Sequence, residues 1–358
     1  MFILRFGAGV VALTGLAADT AERRTQTASV SCVAEVPPSD SGSGRISAVA
    51  AGNMGRLAWS DGRPGQFLLR DPSGRTRVVG RSGAGPGEFR HVGNLGWIGD
   101  TVWVGDPIAA RVQFFSDTGR LLRVRTALPL VGWGARPDGR LIGFGAVALG
   151  GPMTLPIAVI AHRDGSTRSD TITTFPRMQA EEVMVPVGGR EIPNPHPLMQ
   201  STQVGGSADG ARYCAVTPTD TDAIRLRCVD DHGRTRLDRS LTLPLRPITD
   251  SIYNAVIDQF SRAPGRTAAM MRGRISRPAK LPPVLRLLVD DGGDVWLGRS
   301  HRSEATSQWV RVLPTGAIRD TVAIPAPYRI VALQREIVWA VSADADDLET
   351  LFRCRVRP

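Results

Sequence analysis

A polar turn closed by glycine returns along this chain at a spacing near 45 residues, and that rhythm constrains the fold more than any other feature. Asp71-Pro72-Ser73-Gly74, Ser116-Asp117-Thr118-Gly119, Arg163-Asp164-Gly165, Asp231-His232-Gly233 and Pro314-Thr315-Gly316 each sit between two short apolar runs. Glycine supplies the positive φ that tight hairpin turns need, so each reads as a turn between antiparallel strands. Gly74, Gly119 and Gly165 follow one another at intervals of 45 and 46 residues. Four short strands in a repeat of roughly 40–50 residues is the spacing of a β-propeller blade.

A second turn series interleaves with the first: Asn53-Met54-Gly55, Gly99-Asp100, Asp138-Gly139, Asp209-Gly210, Gly292-Gly293 and Arg335-Glu336. With strands lettered a to d from the axis outward, this series is the a–b turn and the first is the c–d turn. Six a–b turns against five c–d turns leave the last blade short of its outer strand. Outer strands end apolar-then-Pro, as in Thr242-Leu243-Pro244, and the same signature recurs at Val36-Pro37. The expected fold is therefore all-β, a six-bladed propeller whose last blade is closed by the N-terminal strand 31–37. Its blades span about 46–81, 93–128, 130–176, 199–245, 282–325 and 327–358, within one domain 31–358. Closure removes the free edges an open array of sheets would expose.

Composition enters as support: 42% apolar content allows a large core, and Gly 39 and Pro 26 suit many short strands. Trp59, Trp103, Trp296 and Trp339 recur near one point on strand b, which predicts packing between blades. One segment breaks the β rhythm. Ile248, Ile252, Val256 and Phe260 recur every four residues, with Thr249 or Asp250 as N-cap and Pro264-Gly265 as a stop. This predicts a helical insert between blades four and five within 248–280, with 266–280 as a loop.

Residues 1–17 carry an early Arg5, an apolar stretch and small residues at Gly15-Leu16-Ala17, the pattern of a signal peptide too short to span a bilayer. The cysteines point the same way. Cys214 and Cys228 fall on neighbouring strands b and c of blade four, and Cys32 and Cys354 on strands d and c of the closing blade. In an oxidising compartment both pairs are expected as disulfides of an exported protein, periplasmic or extracellular.

The net charge of +10 and pI near 10.6 raise nucleic acid as a partner. The detail argues against it: Lys280 is the only lysine, and the arginines are spread through every blade without a dense cluster or interleaved stacking aromatics. A solvated cationic surface is the expectation.

At Gly83-Ala84-Gly85-Pro86-Gly87-Glu88-Phe89 the chain resembles six-bladed propellers of the NHL-repeat type. Val104-Gly105-Asp106, Arg111-Val112-Gln113-Phe114-Phe115 and Asp117-Thr118-Gly119 continue the likeness. Blades three, four and six lack the Asp and Arg of the repeat, which makes this a divergent member. The resemblance implies a ring that binds something on one face, usually protein, peptide, glycan or RNA; with nucleic acid disfavoured by the charge pattern, a protein, peptide or glycan ligand and a monomer are the expectation. Some related rings are metal-dependent lactonases and lyases with a site on the axis.

On the face where b–c loops and blade connections emerge, Glu88, Arg90, His91, Asp61, Asp106, Arg299 and His301 are the expected polar mouth of the central channel. The bland alternative is that Asp106 and Arg111 bond within blade two. Asp344 and Asp346, in an acidic b–c loop, are the weak metal candidates, and Ca²⁺ is the ion such a run would suit. No cofactor is otherwise indicated. The five histidines share no blade position, and neither a Gly-x-Ser-x-Gly elbow nor a His-Glu-x-x-His motif is present. The expectation is a non-catalytic binding or scaffold propeller of the bacterial envelope or exterior. The alternative is a metal-dependent hydrolase or lyase at the channel.

Overall fold

The computed structural model describes residues 27–36, 45–126, 130–145, 156–162, 169–178, 181–199, 201–219, 222–301 and 303–357. The predicted export segment 1–17 and the Arg163-Asp164-Gly165 turn lie outside them. Among the described residues, strands group into four-stranded antiparallel sheets that follow one another along the chain. The first is Ala48–Ala51, Leu57–Ser60, Gln66–Arg70 and Thr76–Ser82; the second is Leu95–Ile98, Thr101–Asp106, Arg111–Ser116 and Leu121–Thr126. The third is Leu130–Ala135, Leu141–Gly145, Ile157–His162 and Ser169–Phe175; the fourth is Gln203–Gly206, Arg212–Pro218, Ala223–Asp230 and Thr235–Thr242. The fifth is Arg286–Val289, Val295–Gly298, Thr306–Val312 and Ile318–Pro325. The sixth takes Arg329–Gln334, Ile337–Ala343 and Glu349–Arg357 from the C-terminus and Thr27–Val36 from the N-terminus. Inner strands of successive sheets lie side by side around an axis from the sixth sheet through the first to the fifth. The architecture is a β-propeller.

Strand composition follows radial position. Leu57–Ser60, Leu141–Gly145 and Val295–Gly298 are buried along their whole length, because strands inside the ring are covered on both faces and read as continuous apolar runs. Outer strands such as Thr235–Thr242 are mostly exposed and polar. Each junction between sheets has its own apolar cluster. Phe67, Leu69 and Phe89 meet Val102 and Phe115 between sheets one and two, and Trp103 and Phe114 meet Ala135 and Leu141 between two and three. Trp296 and Trp309 meet Ile330 and Val338 between five and six; Trp59 and Leu57 meet Trp339 and Leu351 between six and one. The recurring tryptophans are thus packing between sheets.

The closing strand runs antiparallel to Glu349–Arg357 with Cys32 opposite Cys354, and the two are disulfide-bonded. Cys214 and Cys228 are likewise opposite and bonded. The N-terminal strand begins earlier than the 31–37 expected. Its first residues, Thr27–Ser29, run parallel to Thr321–Ala323 and hydrogen-bond the sixth sheet to the fifth.

The arginines are not merely a solvated surface. Arg56 binds Asp100 at 2.6 Å and Asp117 at 3.0 Å, both in turns of the next sheet. Arg125 reaches the Gly139 carbonyl, Arg140 binds Asp231 at 2.7 Å, and Arg212 donates to the Gly293 carbonyl at 2.6 Å. Arg311 and Arg319 both bind Glu336, and Arg70 binds Glu35 at 2.6 Å. All six junctions are bridged in this way. A guanidinium presents five donors in a planar fork and can grip two acceptors on adjacent turns, which an ammonium cannot do as well.

Two departures from expectation lie between the sheets. The hairpin Glu182–Val187 with Arg190–Pro195 fills the connection from sheet three to sheet four. In the connection from four to five, helix α1 (Asp250–Ser261) begins at Thr249, whose side chain accepts from Ile252 N as predicted. The segment read as a loop contains a second helix, α2 (Ala268–Arg274). It is capped by Thr267, which accepts from Met270 N, and is anchored by buried Met271.

Candidate functional site

In an antiparallel meander the b–c turns and the connections between sheets share one face, and the a–b and c–d turns share the other. The predicted channel residues lie in b–c turns and sheet connections on the first face; Glu88 and Asp106 belong to one network, Arg299 and His301 to another, and Asp61 and the side chains of Arg90 and His91 to neither. At the junction of sheets one and two, Arg111 donates to the Ala84 and Glu88 carbonyls, both at 2.5 Å. Gln113 exchanges bonds with the Glu88 carbonyl and the Gly87 amide. These contacts pin the Gly83–Phe89 loop. The Glu88 carboxylate accepts from Gly85 N at 2.7 Å and pairs with Arg81, and both interactions hold its pKa below the usual range.

Asp106 is fully buried and accepts from Arg90 N at 2.8 Å and Ala109 N at 3.0 Å, with Arg111 3.9 Å away. Its partners span the b–c turn and the loop from sheet one, more than the internal Asp106–Arg111 pair expected. The Arg90 side chain and His91 are exposed. Asp61 is tied to Arg63 through its amide and its Nε.

The second network joins sheets four and five. Arg299 donates to the Pro244 and Pro283 carbonyls, while Arg246 grips Glu304 at 2.5 and 2.8 Å and the Arg299 carbonyl. Glu304 accepts from His301 N, and His301 Nδ1 meets Ser303 Oγ at 2.8 Å. In the acidic loop, Asp344 Oδ1 accepts from the amides of Asp346 and Leu348, which is turn chemistry. Among the described residues no group of three or more His, Cys, Asp or Glu stands close enough to hold a metal ion.

The hairpin and the two helices build a cap on this same face. Val183, Val185 and Leu198 pack with Ile252, Val256, Ile257, Met271 and Ile275 around a core of their own. Arg274 binds Glu191 at 2.6 and 2.9 Å, and Arg266 donates to the Pro186 carbonyl. Sequence reasoning passed over the hairpin because Pro186, Pro193 and Pro195 disfavour strands. The signal that marks it is the Val183, Val185, Val187 alternation running into Gly188-Gly189, both at positive φ.

His196 is buried where the cap joins the ring. Its Nδ1 accepts from Leu198 N at 3.2 Å, so the neutral ring carries its proton on Nε2 and donates to Ser276 Oγ at 3.1 Å. A serine nucleophile needs the opposite arrangement, with the imidazole accepting. This pair therefore fastens the hairpin to the helices and is not a catalytic dyad. Outward, the cap exposes Met184, Val187, Ile192 and Met270. Its segment 246–282 carries seven basic residues against Asp250 and Asp258.

The other face is hollow. A cavity of about 160 Å³ is lined by the innermost strands of sheets one, two and six and by turns that include Asp209 and Asp291. Beside it a cleft of about 410 Å³ opens between sheets six and one, and Trp339 lines both. Sequence reasoning located neither, since their walls come from both ends of the chain.

No known family model matches this chain, and no curated protein matches it in sequence. Solved structures do. A Bacteroides fragilis protein described as exported aligns over 92% of this chain and 96% of its own, with 11% identity and a TM-score of 0.51. A DUF4221 family member from Bacteroides vulgatus aligns over 92% and 98%, at 10% identity and TM-score 0.49. Virginiamycin B lyase from Staphylococcus aureus, solved with quinupristin as an inactive variant, aligns over 91% and 99%, at 10% identity and TM-score 0.44. At such identities the likeness speaks to the fold alone, and the fold it shares with this chain is the β-propeller.

Proposed function

We propose that this protein is an exported six-bladed propeller of the NHL-repeat type that works by binding, as a monomer, and that its cap engages a protein, peptide or glycan of the envelope or exterior. The observation that carries this reading is the cap's outer surface. Met184, Val187, Ile192 and Met270 stand exposed on a unit with its own core, while most of the predicted channel residues are spent on internal hydrogen bonds. Recognition elements sit preferentially on insertions held by a rigid scaffold. Export is supported by the two disulfides.

The test is a Met184→Asp/Ile192→Asp double variant against the parent in cross-linking to isolated envelope fractions. The expected outcome is loss of the cross-linked partner with an unchanged melt; equal cross-linking removes the cap from the reading. A melt that falls with EDTA and is restored by Ca²⁺ or Zn²⁺, with activity on lactones or esters, would replace binding by metal-dependent hydrolysis or elimination at the axis.

A further inference from the structure

We propose that the outer end of the cap takes an acidic polypeptide segment that also carries apolar side chains, an inference that rests on the cap being the binding surface and names its class of partner. This end is built by the hairpin turn and the C-terminal end of α1. Val187 stands opposite Arg190 across the hairpin, and Ile192 lies two residues further along the same face, since side chains alternate along a strand. That face also carries Val183 and Val185, which are buried in the cap's core. Towards the turn it runs past the core, leaving Val187 44% and Ile192 41% exposed.

Arg266 ties α1 to the same place, donating to the Pro186 carbonyl at 2.9 Å and the Phe260 carbonyl at 3.5 Å. Arg262, the residue that follows α1, is thereby brought to the same end of the cap as Val187 and Arg190. Arg190 and Arg262 are exposed, and neither side chain has an ion pair or hydrogen bond among the described residues. Arg266 bonds only to carbonyls, so its charge is not matched either. Of the acids nearby, Glu191 is already held by Arg274, and Asp258 lies one turn back on α1. Three guanidiniums against one carboxylate leave this end cationic, on a chain whose net charge is +10. Carboxylates would pair with the guanidiniums and steer the encounter, while apolar neighbours would cover Val187 and Ile192.

The same observations favour a polypeptide over other acidic partners. A bare polyanion would leave the two apolar side chains in water. Insertion into an anionic membrane calls for a free apolar helix face, and both helices turn theirs inward, with Ile252, Val256, Ile257 and Met271 buried. Nor is the hairpin open to a third strand. Along one edge the Met184 and Pro186 carbonyls are taken by Arg274 and Arg266; along the other, Pro193 and Pro195 have no N–H to give. Recognition here works through side chains.

The experiment is titration of the oxidised full chain with an acidic amphipathic peptide built of Glu, Leu and Ala, and with the same peptide carrying Gln for every Glu. The acidic peptide is expected to bind at least tenfold more tightly than its Gln counterpart, and to weaken at least tenfold between low and high salt. Arg190→Glu/Arg262→Glu, at exposed positions, should weaken the acidic peptide at least tenfold without lowering the ligand-free melt. Val187→Ser should weaken it severalfold. Equal affinity for the two peptides, affinity unchanged in either variant, or polygalacturonate or phosphatidylglycerol vesicles competing as strongly as the acidic peptide would each overturn the inference. If the Met184/Ile192 variant nonetheless loses its cross-linked partner, the cap remains the binding surface and only its acidic partner falls; equal cross-linking in that variant removes the cap itself.

Discussion

Each junction of the ring joins two sheets through its own apolar cluster and an arginine bridge, whereas the cap holds together around a single core between one hairpin and two helices. The ring is circular and covalently closed, so losing one sheet would expose clusters on both sides of it. The cap leaves the ring through the two-residue pair Arg246–Pro247 with Lys280–Leu281, and through the segment around His196. Regions with few crossing contacts open at lower free energy than the body they sit on. The contrast puts rigidity in the ring and adaptability in the cap.

The largest test of that contrast is to reopen the ring. Cys32→Ser/Cys354→Ser removes a link across 322 residues, worth about 5 kcal/mol before strain, against about 3 kcal/mol for the link across 14 residues at Cys214 and Cys228. Thermal melts should rank the two double variants in that order with unchanged circular dichroism, and equal losses would break the closure argument.

Next in size is Arg311→Met. It strands Asp320, itself mostly buried, which Arg311 grips through two nitrogens, and it removes a link to Glu336. Breaking one side of a buried pair costs about 3–5 kcal/mol, measured as a shift in the urea midpoint of the whole ring. Ile257→Ala should cost about 2–4 kcal/mol. Its mark should be faster hydrogen exchange in 182–195 and 250–274 alone; exchange spreading into the sheets would make cap and ring one cooperative unit.

The smallest effect sharpens the contrast by pH. Burial pushes Asp290, in the a–b turn of the fifth sheet, up to about 6 from 3.8. A raised carboxyl stabilises the fold below 3.8, and that contribution is lost as pH rises through about 6. In the cap, burial lowers His196 from 6.5 against the opposing pull of Glu181, and protonating Nδ1 would also break the bond from Leu198 N. Its contribution is present above 6.5 and is lost as pH falls through the lowered value. Protection factors of the cap amides, taken against their intrinsic exchange rates at each pH, should therefore fall on acidification while Asp290 works in the other direction, and His196→Gln should flatten the cap's response. Identical pH slopes in both regions would end the distinction.

The parts of the fold that were legible are those written locally. Asp-Gly and Thr-Gly turns between apolar runs predicted antiparallel strands, and the placement of Cys32 and Cys354 on adjacent strands predicted their bond. The period-four run from Ile248 predicted α1. The hairpin 182–195 was obscured because three prolines mask an alternating valine pattern. Helix α2 follows Pro264-Gly265 and is anchored mainly by Met271, a tertiary contact that leaves little periodicity to read. Topology gave the candidate residues a shared face, yet it could not say that the Asp106 carboxylate is spent on backbone amides, or that His301 hands its own amide to Glu304.

The sequence by itself determined a chain of short strands, their turns and the joining of the two ends, because alternation, glycine φ and cysteine placement act over a few residues. Only the tertiary structure decided which groups meet. Arg56 and Trp339 lie near opposite ends of the chain and share a wall because the sixth sheet packs against the first. Whether a buried donor finds a partner depends on that packing, and no short stretch of sequence contains it.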